Sequence, residues 1–321
     1  MSVKILCVYH KPAPLLKNEV VVPIHAGRAL LGTQVRNGKI TEHDAQWMKE
    51  YLCGDDEGDN ISSLNSQLNE LTAVYWAWKN YQKLGNPDFI GLMHYRRHFW
   101  IKTDLQASSY LEAIGCSRSV LEEALRGKDG ISLFFLNFEK QKTPRLHLRE
   151  LGAEEVLDAA LCVLDTTDPL NAAEYRRLAD TPHTGGMRHM FIFPRERFFV
   201  FCPWLFAVVL SLEKQFRGRY MRREVGFAAE ILTALYLKRM QEQGLHLLQT
   251  DMLDEEALAF PVSFKQKSKA LRRFLLARLL PLSKKYRRLE EIRRIRNGFW
   301  KETLDGFYAQ YDENRGNLWK K

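Results

Sequence analysis

Short apolar runs alternate with longer stretches of helical period along this chain. Residues 3–9, VKILCVY, are apolar and β-branched and are closed by His10, Lys11, Pro12 and Pro14, which predicts a strand opening into a loop. In LNELTAVYWAWKNY, residues 68–81, the positions Leu68, Leu71, Val74, Tyr75 and Trp78 recur at helical intervals, as an amphipathic helix requires. After the breaker Gly85, Asn86, Pro87, the run DFIGLMHY predicts a second strand, and GISLFFLNF and MRHMFIFP predict two more. SYLEAIG, SVLEEALRG and AEEVLDAALCVL read as helices. They are followed by the long FFVFCPWLFAVVLSLEKQF, with one internal proline, and by EVGFAAEILTALYLKRMQEQ. Strands separated by helices predict an α/β fold with a mixed, largely parallel sheet of Rossmann type flanked by helices.

Composition narrows the class. A chain of 321 residues that is 45% hydrophobic and 12% aromatic can bury a large core, here expected as a domain of residues 1–261 with a basic helical extension, 262–321. The five cysteines are scattered without a CxxC pair, which argues against a disulfide framework or zinc site and for a reducing cytosol. The N-terminal apolar run is too short for a secretion signal, and no segment reaches about 18 uninterrupted apolar residues, so any membrane contact is expected to be peripheral. The net charge of +9 is concentrated. Between Val262 and Arg296 stand 13 Lys or Arg against two Glu, leaving 35 basic and 37 acidic residues elsewhere. A nearly neutral body does not describe a nucleic-acid-binding surface.

In α/β sheets, ligands gather beyond the carboxyl ends of the strands. The first strand ends at Tyr9 and His10 and the second at His94, Tyr95, Arg96 and Arg97, while Arg188 and His189 open the strand that follows HTGG. Guanidinium forks bind phosphate oxygens bidentately and stay charged at any physiological pH, so the arginine pair and its companions suit a diphosphate. The competing role for Arg96 and Arg97 is pairing with rim acids such as Asp88 or Asp104.

The stretches DNISSLNSQLNELTAVYWAWKN, DFIGLMHYRRHF, MRHMFIFPRERFFVFCPWLF and EVGFAAEILTALYL together resemble the DUF4422 family of bacterial capsule and exopolysaccharide glycosyltransferases, over residues 3 to about 240. The specific signal is Y-W-x-W-K-N with H-Y-R-R about 15 residues later; either alone would be weak. Two features depart from the family pattern: His189 stands where Asn is usual, and Gly185 and Gly186 fall outside it. The resemblance implies a GT-A-like enzyme that uses a nucleotide sugar, UDP-linked, with UDP-galactofuranose a donor for some members. Its acceptor would be a growing or lipid-linked surface glycan on the cytoplasmic side of the inner membrane. Tyr9, His10, His94, Tyr95, Arg96 and Arg97 are then the expected donor-binding residues. Glu70, Trp76, Lys79, Arg188 and His189 are candidates for the acceptor or sugar site.

Glycosyl transfer needs the leaving diphosphate neutralised, the acceptor hydroxyl deprotonated and the anomeric carbon held between them. HYRR takes the place where GT-A enzymes carry a metal-binding Asp-x-Asp, so arginine charge can substitute for a metal. GDDEGDN, residues 54–60, offers carboxylates to Mg²⁺ or Mn²⁺, or else forms a solvated turn capping the next helix. Glu230 lies in an otherwise apolar helix and matches the family glutamate. It is the expected base, with a structural ion pair as its competing role and Glu70 and Asp59 as outside candidates. A sugar-binding scaffold without turnover is the rival function. In the extension, Leu271, Phe274, Leu275, Leu279 and Leu282 interleave with basic residues. That pattern fits an amphipathic anchor on anionic lipid or an arm packed along the domain.

Overall fold

The structure, a computed structural model, describes residues 1–32, 40–133, 143–182, 188–219, 223–254, 258–259 and 284–311. The end of GISLFFLNF, the glycines 185 and 186, and residues 262–283 of the basic stretch, with Leu271, Phe274, Leu275, Leu279 and Leu282, lie outside these. The strands are β1 (Val3–Tyr9), β2 (Val21–His25), β3 (Cys53–Gly54), β4 (Phe89–His94), β5 (Arg97–Trp100), β6 (Ile131–Leu133), β7 (Phe191–Pro194) and β8 (Leu248–Asp254). The first helices are α1 (Glu42–Tyr51), α2 (Asn65–Leu68), α3 (Leu71–Lys79), α4 (Tyr110–Ala113), α5 (Arg118–Ala124) and α6 (Pro144–Glu150). They are followed by α7 (Glu154–Thr167), α8 (Ala172–Ala179), α9 (Arg195–Phe216), α10 (Glu224–Glu242), α11 (Lys284–Ile295) and α12 (Lys301–Tyr311).

Four strands, in the order β3-β2-β1-β4, are parallel neighbours. Beyond β4 the pattern changes. β7 runs antiparallel to β4 and β6 antiparallel to β7, β8 is parallel to β6, and β5 pairs antiparallel with β8 while meeting β4 at His94 and Arg97. The ring β4-β7-β6-β8-β5 closes on itself. The expectation of a largely parallel Rossmann-type sheet is therefore corrected: a parallel half is joined to a closed, mixed half. The reason is local, because β4 and β5 are joined by two residues, Tyr95 and Arg96, and so short a link can only reverse direction, whereas a parallel neighbour needs a crossover. Gly91 allows β7 to lie close against β4, since a Cβ there would stand 2.8 Å from the Phe191 carbonyl oxygen.

Alternation along β1 serves two cores, as the two-residue period of a strand dictates. Leu6 and Val8 join the cluster under α3, α7, α9 and α10, while Ile5, Cys7 and Tyr9 face the cluster that holds Trp47 of α1. Helix α9 is long and apolar enough by length and composition to cross a membrane, but half of that stretch is buried and it packs on α3, α7 and α10 as a core helix. The described part of the extension is likewise packed in. α11, a π-helical turn (Arg296–Trp300) and α12 follow one another without a break, and Ile295, Trp300, Phe307 and Tyr311 are buried in the second core. The Phe307 ring stands edge-on to Trp47 at 5.8 Å, and a His43 ring nitrogen lies 2.9 Å from the Tyr311 carbonyl. Residues 288–311 thus complete the core of the domain rather than standing apart from it.

Candidate active site

The site lies at the end of the sheet where β1 and β4 finish. The carboxyl ends of β1 and β4 bring His10 and His94 there. Because β7 is antiparallel to β4, it is the start of β7, with Arg188 and His189, that reaches the same end. The His94 ring bonds the Arg188 carbonyl at 3.0 Å and ties the two strands together. From the helical layer come Glu70, at the N-cap of α3, and Glu230, on α10. Two backbone features let these helices meet. Asn69 takes a left-handed φ of 50° between α2 and α3, and Gly226 leaves room for its side chain, since a Cβ there would stand 2.0 Å from Asn69 Nδ2. One side-chain oxygen or nitrogen from each of Glu70, His189 and Glu230 then lies within 4.8 Å of the other two.

Electrostatics separates the roles of the two carboxylates. Glu70 accepts from His189 Nδ1 at 2.7 Å. Burial pushes the Glu70 carboxyl up, but the His189 hydrogen bond and charge outweigh it and hold it at about 2. Burial works against charge on His189 as well, yet Glu70, helped by Glu230, raises its pKa above the ordinary value. The pair is therefore an ion pair, and it fixes His189 at a left-handed φ of 41°, a conformation uncommon for a residue with a side chain. Glu230 differs. Burial, and then the Glu70 charge, raise it to about 7, against the opposing pull of His189, Arg97 and Arg188. It can hold or release a proton near neutrality, as a general base must.

Among the described residues, the Arg96, Arg97 and Arg188 side chains make no ion pair or hydrogen bond with the protein. Arg97 is partly buried, and its pKa is lowered by desolvation and by the charges of Arg188 and Arg96. The rim acids are engaged elsewhere, since Asp88 accepts from Ser2 and Asp104 from the Gln106 amide. With Glu70 and His189 cancelling, three guanidiniums leave the site electropositive, which suits a polyanion.

Several expected residues stand elsewhere. Tyr9 is fully buried, its hydroxyl donating to the Pro14 carbonyl and accepting from the Leu16 amide, so it shapes the loop after β1. Tyr95 is buried and stacks on Tyr9 at 5.4 Å, supporting the turn rather than lining the cleft. Trp76 is a core residue whose indole donates to the Glu57 carbonyl. Lys79 lies at the far end of α3 from Glu70, about 13 Å along the axis at helical rise, with its ammonium 3.8 Å above the Trp78 ring. Sequence reasoning missed Asp254, which faces Arg97 in the β5–β8 ladder, and His98; the signal that could have found Asp254 was the strand LQTDMLD, which was not recognised.

The acidic cluster does not fit a shared metal ion. Asp55 accepts from the Gly27 and Arg28 amides and the Ser62 hydroxyl, Asp59 from Tyr75, and Glu57 pairs with Lys83. These carboxylates organise the turn. The Glu70, His189 and Glu230 atoms are spaced closely enough for a cation, but Arg97 and Arg188 put positive charge beside Glu230. An open depression of about 550 Å³, lined by Leu105, Arg293, Arg294, Asn297, Gly298 and Phe299, shares no residue with this site.

A search of curated proteins returns no match. Among solved structures, a chain described as the "WbbM bifunctional glycosytransferase apo structure" superposes with a TM-score of 0.64 at 25% sequence identity, over 78% of this chain and 45% of that one. This chain therefore spans less than half the length of that protein. The family described as "Domain of unknown function (DUF4422)" matches residues 4–242, a span that includes every site residue named above except Asp254, and the chain belongs to that family.

Proposed function

We propose that this chain is a glycosyltransferase that moves a sugar from a nucleoside diphosphate donor, UDP-linked, to a hydroxyl of a bacterial surface glycan. The observation that carries this reading is the placement of three guanidiniums, Arg96, Arg97 and Arg188, with no ion pair or hydrogen bond among the described residues, beside a half-buried glutamate whose pKa is raised to about 7. The likeness to part of a bifunctional glycosyltransferase supports it. Arg96 and Arg97 take the leaving diphosphate, and their charge serves where a divalent metal would otherwise be needed. Glu230 accepts the acceptor proton as the new glycosidic bond forms and the bond from the anomeric carbon to the phosphate oxygen breaks. Glu70 and His189 hold one wall of the acceptor side. UDP-galactofuranose is the first donor to test. Docking of residues 262–296 on an anionic cytoplasmic leaflet belongs to the same proposal, and liposome flotation of the full chain tests it.

The deciding experiment is mass-spectrometric detection of nucleoside diphosphate release from a panel of sugar nucleotides, with and without a glycan acceptor. Acceptor-dependent release identifies the enzyme. Binding of a sugar nucleotide without release would leave the non-catalytic scaffold as the better account.

A further inference from the structure

The turn that carries Arg96 and Arg97 is an unusual one to stand alone. Two-residue hairpin links favour turns with positive φ, whose twist matches the flanking strands. Among the described residues, the non-glycine residues with positive φ are Asn69, Asn86 and His189, so neither Tyr95 nor Arg96 belongs to that class. β5 accordingly parts from β4 after a single pair, His94 with Arg97, and runs along β8 instead. The Tyr95 amide ties the turn to the Val8 carbonyl of β1 at 3.1 Å, which leaves the β5 side of the turn to a further anchor.

His98 provides one. It is fully buried, with Nε2 2.9 Å from the Tyr95 carbonyl and Nδ1 2.7 Å from the Tyr110 hydroxyl. A carbonyl can only accept, so Nε2 carries the proton and donates to Tyr95, leaving Nδ1 to accept from Tyr110. Burial lowers the His98 pKa to about 4, which keeps this neutral form in place. Trp300, from the π-helical turn between α11 and α12, covers both partners. Its ring is 4.7 Å from Tyr110 and 5.5 Å from His98. Arg288 of α11 fastens the same arm to β8, pairing with Asp251 and lying 5.3 Å from the Trp100 ring. The arm lies beyond the residues matched by the family, which end at 242.

We propose that the C-terminal helical arm is a positioning element for the arginine turn, acting through Trp300 on the His98–Tyr110 pair and through His98 on the Tyr95 carbonyl. His98 and Trp300 are positioning residues that touch neither donor nor acceptor. The consequence for ligand affinity rests on the functional reading above; the mechanical link does not.

The test uses the full chain. Trp300→Ala and His98→Leu are compared with Phe307→Ala, which removes an aromatic ring from the same arm without touching His98. Hydrogen exchange of the amides at residues 94–97 is followed in the unliganded protein, and UDP affinity is followed by calorimetry. Trp300→Ala and His98→Leu should speed exchange at the turn and weaken UDP binding by about fivefold to tenfold, the scale of one lost hydrogen bond. Phe307→Ala should lower the melting temperature and change neither. His98→Gln, which restores an N–H donor, should recover part of the protection. Unchanged exchange at 94–97 in Trp300→Ala, or an equal effect of Phe307→Ala, overturns the proposal. If the wild-type chain does not bind UDP, the functional reading fails and the exchange data alone decide the brace.

Discussion

Glu70 and His189, 119 residues apart in the sequence, are joined by a 2.7 Å bond between a helix N-cap and the start of a strand. This pair fixes the geometry at the centre of the candidate site. It also sets the charge that Glu230 feels.

Removing one partner leaves the other buried and uncompensated. His189→Ala should therefore cost about 3 kcal/mol of stability, measured by urea unfolding at about pH 6. The pH dependence has a defined sign. The depressed Glu70 contributes stability above its unfolded value, lost as pH falls towards 2. The raised His189 contributes stability fully present below its ordinary 6.5 and lost as pH rises through its folded value. Glu230 acts in the opposite sense to Glu70, because its raised pKa makes stability fall as pH rises from 4.5 to about 7. In His189→Ala the alkaline loss due to His189 should disappear.

Glu230→Gln keeps the shape of the side chain and removes its basicity. Turnover should fall by about 10²-fold or more while calorimetric donor binding is retained. Normal turnover would assign Glu230 to structure.

Arg188 is one of the charges that hold the Glu230 pKa down. Arg188→Met should therefore raise that pKa and move the acidic limb of the kcat/KM profile to higher pH. The limb of the wild-type enzyme should lie near 7. A limb that stays in place in the variant would show that another group titrates.

Arg96→Ala and Arg97→Ala should each weaken nucleotide binding by about 1.5 to 3 kcal/mol, the loss expected for a charge-assisted hydrogen bond. The melting temperatures should change little, because among the described residues neither guanidinium makes an ion pair or hydrogen bond with the protein, and Arg96 only lies 6.0 Å from the Tyr95 ring. Equal affinity in wild type and both variants would remove the diphosphate site from the turn.

Periodicity made much of the architecture legible. The first strand, the helix over 71–79, the strand ending in HYRR and the two long helices are where the apolar pattern puts them, because each has a buried face long enough to show its period. Strands without a clear apolar run were not legible. β2, β5 and β8 were missed, and LQTDMLD carries too many polar residues to read as a strand. β8 is a strand because β5 and β6 flank it and satisfy its backbone.

The sequence by itself determined which chemical groups the protein has to work with: an arginine pair at a strand end, a glutamate in an apolar helix, and a His-Tyr pair next to them. Only the tertiary structure decided which of them work together. Local sequence could not say that β7 runs antiparallel, which carries Arg188 and His189 to the end of the sheet where β4 finishes. Nor could it say that Tyr9, Tyr95 and Trp76 turn inward while the Lys79 ammonium lies over the Trp78 ring. Side-chain direction follows from packing, and a carboxylate's pKa follows from the charges around it. Both are sums over neighbours distant in the chain, so Glu70 and Glu230, alike as residues, become an ionised partner and a titrating base.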